Sequence, residues 1–358
     1  MELKYRIINI KTGAKKTKAS VLIIYTGGTI GMVRNETGTL VALKFNQIMQ
    51  QLPSLRALDV NLTVISFPTP IDSSNINYQN WLDLGYIIHE NYHHHDGFVV
   101  LQGTDTMAYS ASALSFILEG LNKPVVFTGA QLPISAIRSD ARPNLITAIE
   151  IASMKKRGRP IAPEVCIYFD YLLLRGNRAR KIRSNHFGAF ESEGYPLLAK
   201  IGINIEFDNP AIMHREKEME LQFHNQLDPN VAILKIFPSI TQNVVNSILN
   251  TEGLKGVVLE TYGSGNAPTD SWFVDLLKSA IKRGILIFNV TQCLGGKVIQ
   301  GRYATSQQLE DIGVVGGSNI TTEAAITKMM FLLAQESSLE TIKERLKKPI
   351  CGEMNDPD

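Results

Sequence analysis

Five apolar or aromatic residues, Val21, Leu22, Ile23, Ile24 and Tyr25, run without a break into Thr26-Gly27-Gly28-Thr29. A continuous apolar run this short, bounded by glycines, reads as a strand buried on both faces, and such strands belong to parallel sheets covered by helices. The two glycines supply a turn that residues carrying a Cβ resist. Thr29 then falls just past the carboxyl end of the strand, where open α/β sheets place their ligands. Two chemistries fit the stretch. Thr29 can be a nucleophile, with nearby glycine amides to stabilise an oxyanion. Alternatively the turn cradles phosphate, as a strand followed by glycines does in nucleotide sites, although neither GxGxxG nor a following Gly-Lys-Ser/Thr is present.

The same pattern recurs along the chain. Residues 97–101 are a second apolar strand and run into Gln102-Gly103-Thr104-Asp105-Thr106, ahead of an apolar helix expected over 107–119. Residues 62–67 are a strand followed by Pro68-Thr69-Pro70 and Ile71-Asp72-Ser73-Ser74-Asn75. There Ser73 and Ser74 either hold a carboxylate or cap the helix expected over 78–91. Strands are expected over 124–128 and 164–169, with a helix over 139–156 whose Lys155, Lys156 and Arg157 form a cationic end. Lys181 follows the last of these strands, where a lysine serves as a base or as a surface charge. Strands alternating with helices give an α/β fold, and a parallel sheet brings the two Gly-Thr turns to one crevice. Residues 32–39 read as a lid loop and 44–52 as a helix ending at Pro53.

A change to charged residues over 204–229 marks a linker. The expected organisation is an arm or first strand over 1–20, an N-terminal catalytic domain over 21–203, and a C-terminal domain over 230–358. In the last, strands are expected at 231–237, 256–261 and 284–290, with helices at 242–250, 270–283 and 321–334.

A formal net charge of +2 on 358 residues gives no reason to expect nucleic acid or an anionic membrane as a partner. No apolar run reaches membrane-spanning length, and the first twenty residues have no signal-peptide core. Cys166, Cys293 and Cys351 are odd in number and widely spaced, which suits a reducing cytoplasm rather than a disulfide framework. His93-His94-His95 point in successive directions, unlike a metal-binding pair on one helical face, and read as a solvated helix end.

Together the motifs resemble the bacterial-type asparaginase/glutaminase family, in its cytoplasmic type I branch. The resemblance rests on Tyr25-Thr26-Gly27-Gly28-Thr29-Ile30-Gly31-Met32, Asp72-Ser73-Ser74 and Gln102-Gly103-Thr104-Asp105-Thr106-Met107. It continues through Arg175-Gly176-Asn177-Arg178 with Lys181, Tyr262-Gly263-Ser264-Gly265-Asn266 and Thr291-Gln292-Cys293. It implies a larger N-terminal domain with a mostly parallel sheet and helices on both faces, plus a smaller C-terminal α/β domain. It also implies tight homodimers, often paired into tetramers, and no metal or organic cofactor. The activity implied is hydrolysis of the side-chain amide of L-asparagine to aspartate and ammonia through a threonine-linked acyl-enzyme. Thr29 matches the nucleophile, and Thr104, Asp105 and Lys181 match the family's Thr–Asp–Lys group. Asp72, Ser73 and Ser74 match the segment that holds the substrate carboxylate.

The stretch Glu36-Thr37-Gly38-Thr39-Leu40 lacks the tyrosine that relatives carry in the lid, and Thr39 stands in its place; Tyr303 is a substitute partner for the nucleophile. Glu260 occupies the position of an effector-binding arginine in some relatives, and a carboxylate there repels the effector's own carboxylate. Glutaminase activity, an amidotransferase-type subunit and a nucleotide-binding regulator are the competing readings. One methylene is worth only about 1–3 kcal/mol in a pocket, so the preference for asparagine over glutamine is not written in these motifs.

Overall fold

Among the described residues, nine strands from the first 207 residues form one sheet: β1 (Arg6–Ile10), β2 (Ser20–Tyr25), β3 (Asn61–Ser66), β4 (Gly97–Leu101), β5 (Val125–Thr128), β6 (Val165–Phe169), β7 (Leu172–Arg175), β8 (Ala199–Ile201) and β9 (Ile205–Phe207). The structure is a computed structural model and describes residues 6–10, 19–34, 40–42, 55, 58–214, 219–301 and 304–356. The chain divides into two units, Met1–Asn225 and Gln226–Asp358.

The sheet order is β1-β3-β2-β4-β5-β6-β7-β8-β9. The five central strands, β3 to β6, are mutually parallel, and the outer strands at either side add antiparallel. From β2 the chain passes to β3 on one side and then to β4 on the other. The order therefore reverses between β2 and β4, and the crevice of an open α/β sheet lies at the carboxyl ends of those two strands. Tyr25 is in register with Ser66 on one side and Leu101 on the other, so the turns after β2, β3 and β4 leave the sheet at one level.

Every residue from Val21 to Tyr25 is buried. Val21, Ile23 and Tyr25 share one face with Val64, Val99, Leu101 and Val126, and against them pack Leu145, Ala148 and Ile149 of α3 (Ala141–Ser153). The alternate residues, Leu22 and Ile24, face the other side of the sheet and are equally buried. Each such side chain contributes about 1.5–3 kcal/mol on burial. Two earlier helices, α1 (Tyr78–Glu90) and α2 (Met107–Ile117), pack on each other. Burial on both faces explains the unbroken apolar runs of β2, β4, β5 and β6.

The second unit holds a four-stranded, wholly parallel sheet of β10 (Val231–Lys235), β11 (Gly256–Thr261), β12 (Leu286–Thr291) and β13 (Val315–Gly316). Its helices are α4 (Gln242–Leu249), α5 (Ser271–Lys282), α6 (Ala304–Asp311), α7 (Thr322–Gln335) and α8 (Leu339–Lys347). Val245, Leu249, Phe273 and Leu277 from α4 and α5 join Leu234, Val257, Leu259 and Ile287 from the strands in one core.

Several expectations are corrected. The helix expected over 139–156 ends at Ser153, and Lys155–Lys156 pairs with Arg159–Pro160 as a two-stranded hairpin. The helix expected over 107–119 ends at Ile117, and Leu118–Glu119 pairs with Gln222–Phe223. The span 204–229, read as a linker, contributes β9 and the strand Gln222–Phe223 to the first unit. His95 is buried rather than solvated, with Nδ1 3.2 Å from the Asn91 carbonyl, and its burial pushes the imidazole pKa down. Of the expected lid, Met32–Arg34 pairs with Leu40–Ala42. The remainder of the lid, including Thr39, lies outside the described residues, as do Tyr303 and the expected helix at 44–52.

Candidate active site

Three turns meet at the carboxyl ends of β2, β3 and β4. The turn after β2 is fastened to its neighbours through Thr26. Its amide and its hydroxyl both donate to the Leu101 carbonyl, at 3.0 and 2.9 Å, and its carbonyl accepts from the Ile71 amide at 2.7 Å. Gly28 has φ +89°, and a Cβ built there would lie 2.4 Å from the Gly103 nitrogen and 2.6 Å from its Cα. A Cβ on Gly103 would in turn lie 2.5 Å from the Ser73 hydroxyl oxygen. The absence of side chains at these two glycines is what lets the three turns touch. Thr29 and Thr104 are the residues immediately after the two touching glycines. Thr29 opens a single 3₁₀ turn, Thr29–Gly31, and is half-buried.

Thr104 is 8% exposed, and its hydroxyl oxygen accepts a hydrogen bond from Lys181 Nζ at 2.7 Å. The same ammonium lies 2.6 Å from Asp105 Oδ1. The Lys181 side chain is 16% exposed and that of Asp105 is 63% exposed, so the lysine is held inside while the carboxylate looks outward. Lys181 arrives along α2. After β7 the chain turns through Gly176–Arg178, where a Cβ on Gly176 would lie 2.9 Å from the Ala111 methyl, and it ends beside the N-terminal end of the helix. Arg175, at the start of that approach, is anchored in the interior by Glu164 Oε2 at 2.6 Å and by the Ala211 carbonyl at 3.0 Å.

The segment after β3 divides its roles. Asp72 Oδ1 accepts from both the amide and the hydroxyl of Ser74, at 2.9 and 2.8 Å, and these bonds hold its carboxyl below the ordinary value. Asp72 and Ser74 thus close a 3₁₀ turn over Ser73–Asn75. The helix cap that Ser73 and Ser74 were weighed for belongs instead to Asn77, which forms a capping box with Asn80. Ser73 itself is 4% exposed and faces the Gly103 turn.

Beneath the three turns runs a buried polar chain that sequence reasoning missed. Trp81 Nε1 donates to Ser110 Oγ at 2.9 Å, and Gln102 Nε2 donates to the same oxygen at 2.9 Å. Gln102 also reaches Thr106 Oγ1 at 3.4 Å, and the Thr106 hydroxyl donates to the Ser73 carbonyl at 2.7 Å. The available signal was Thr106 and Ser110, spaced i, i+4 at the start of an otherwise apolar helix. Burying polar groups of this kind requires that they pair with one another.

Two family models match the chain. The one described as "Asparaginase, N-terminal" matches residues 20–213, and the one described as "Glutaminase/Asparaginase C-terminal domain" matches residues 230–346. The chain is 39% identical over 344 residues to L-asparaginase 1 of Escherichia coli K12, covering 95% of this chain and 99% of that protein. Among solved structures it resembles L-asparaginase I of Vibrio cholerae with a TM-score of 0.85 at 35% identity, covering 94% and 99% of the two chains. It also resembles the probable cytoplasmic L-asparaginase of Campylobacter jejuni, with a TM-score of 0.76 at 25% identity over 92% and 99% of the chains.

Proposed function

The chain belongs to the asparaginase family, and on that premise we propose that it hydrolyses the side-chain amide of L-asparagine, releasing ammonia and L-aspartate. Thr29 Oγ attacks the amide carbonyl carbon, the hydroxyl proton passes to the amide nitrogen, the C–N bond breaks, and ammonia leaves. Water then attacks the resulting ester and frees aspartate. Splitting the step in this way is useful because an amide is a poor electrophile. Once Lys181 has lost a proton, its neutral amine takes one from the Thr104 hydroxyl, and Thr104 in turn takes the proton of the attacking hydroxyl or water. Asp105 accepts the α-ammonium of the substrate on its exposed side, while Ser73, held by the Asp72–Ser74 turn, receives the α-carboxylate. Fixing both charges of a small zwitterion orients the amide, and orientation carries much of the acceleration.

The observation that supports this reading best is the close approach of Gly28 to Gly103, the residues just before Thr29 and Thr104, together with the hydrogen bond from Lys181 to Thr104. Ammonia release from asparagine and from glutamine tests it. Thr29→Ala is expected to lower kcat by at least about 10⁴-fold, and Lys181→Met by about 10²–10⁴-fold. Robust accumulation of acyl-enzyme on Thr29→Ala would remove Thr29 from its role. We further place the protein in the cytoplasm as a homo-oligomer. Its three cysteines are free, and among the described residues no helix is long and apolar enough to cross a membrane. Light scattering on the purified protein reads the oligomeric state.

A further inference from the structure

A cavity of about 820 Å³ opens at the opposite end of the sheet, among the residues that precede β4, β5 and β6. Five residues of β4, roughly 16 Å of strand, separate that end from the Thr104 turn. Lys123, Lys155, Lys156, Arg157 and Arg159 line it, against Asp96 as the one acid among its described lining residues. Leu121, Ile161 and Pro163 supply apolar wall.

Two of the cations have partners. Lys155 Nζ lies 2.7 Å from Asp96 Oδ1, and Lys123 Nζ donates to the carbonyls of Tyr92 and His95 at 2.5 and 2.8 Å. The other three sit on the Lys155–Pro160 hairpin, exposed, and none is paired with a carboxylate among the described residues. Lys156 and Arg159 are direct cross-strand partners. Like charges placed opposite each other repel and weaken a hairpin. Arg157, at the turn between them, has φ +54°, a left-handed conformation that a residue with a Cβ adopts at a penalty. Cations at the end of α3 would complement its dipole, but the helix ends at Ser153 with Met154 as its cap. The hairpin thus concentrates charge against both electrostatic and backbone cost, beside a cavity of ligand size.

We propose that this cavity is a binding site for a multivalent phosphate anion, a polyphosphate chain either free or carried on a nucleoside. Guanidinium groups fork onto phosphate oxygens, and the apolar wall suits the nucleoside. The site is separate from the amide-hydrolysing crevice and does not depend on its assignment.

Titration calorimetry of the whole chain with inorganic triphosphate, ATP and adenosine tests the proposal. Triphosphate and ATP are expected to bind saturably, more weakly as KCl is raised, and adenosine not at all. Equal affinities would assign the free polyphosphate as ligand, and tighter ATP the nucleotide. Arg159→Ala is expected to weaken binding about 10-fold. Arg157→Gly removes a cation while relieving the backbone, so it is expected to weaken binding similarly with an unchanged or higher Tm. Ammonia release from asparagine stays at the wild-type rate in both variants. Absence of saturable binding by either polyphosphate, or affinities unmoved by both substitutions, would overturn the proposal.

Discussion

Gly28 shows how much of the candidate site rests on one missing methyl group. Its φ of +89° favours glycine, and the space where a Cβ would go is filled by the backbone of Gly103 at 2.4 Å. Backbone cannot swing aside as a long side chain can, so Gly28→Ala must push the two turns apart. A shift of about 1 Å in reacting groups is enough to cost about 10²-fold in rate. Gly28→Ala is therefore expected to lower kcat by about 10²-fold or more while costing only about 1–3 kcal/mol of stability. Steady-state ammonia release, set beside a thermal melt, separates the two effects. A variant that melts normally and turns over normally would show that the Gly28–Gly103 contact does not position Thr29.

At the level of elements, the buried chain from Trp81 through Ser110, Gln102 and Thr106 ties α1 and α2 to the turns that carry Ser73 and Thr104. Thr106→Val keeps the shape of the side chain but leaves the Ser73 carbonyl without its 2.7 Å donor. A lost hydrogen bond of this kind is worth about 1 kcal/mol, and 1.4 kcal/mol is tenfold. KM for asparagine is expected to rise about 5–10-fold with kcat changed less than about threefold, and Thr106→Ser is expected to restore it. An equal fall in kcat would mean that the chain serves Thr104 rather than Ser73. The central strands were legible because burial on both faces leaves an unbroken apolar run. The edge strands β7 to β9 were not, since they are only 4, 3 and 3 residues long, too short for a strand pattern to stand out from a loop. The hairpin at Lys155–Pro160 was misread as a helix end because cations suit both settings. In α8, Ser338 caps the helix and Ile342 and Leu346 mark its buried stripe, a pattern present in the sequence and passed over. The glycine–threonine turns were visible, but the approach of Lys181 to Thr104, 77 positions apart, depends on how β7 returns along α2.

On the scale of the whole molecule, acid sensitivity is expected to be set by ion pairs that water does not reach. Lys328 on α7 and Glu353 beyond α8 are both fully buried and lie 2.7 Å apart. Lys328 also donates to the Leu346 and Lys348 carbonyls, and Glu353 accepts from the amides of Ile350 and Cys351. One pair thus fastens the end of α8 and the segment after it to α7. Desolvation alone would raise the Glu353 carboxyl, but the Lys328 ammonium and the hydrogen bonds outweigh it and hold the pKa below the ordinary value. A carboxyl whose folded pKa lies below its unfolded value of about 4.3 stabilises the fold above that pH. The contribution is lost as pH falls from there through the folded pKa. Glu353→Gln leaves a buried ammonium unpaired, a defect that costs about 3–5 kcal/mol. Its Tm at neutral pH is expected to fall by roughly 10 °C. Its Tm is also expected to depend less steeply than wild type on pH between about 5 and 3. Melts of both proteins across that range decide the matter. Parallel curves would mean that the acid transition arises elsewhere.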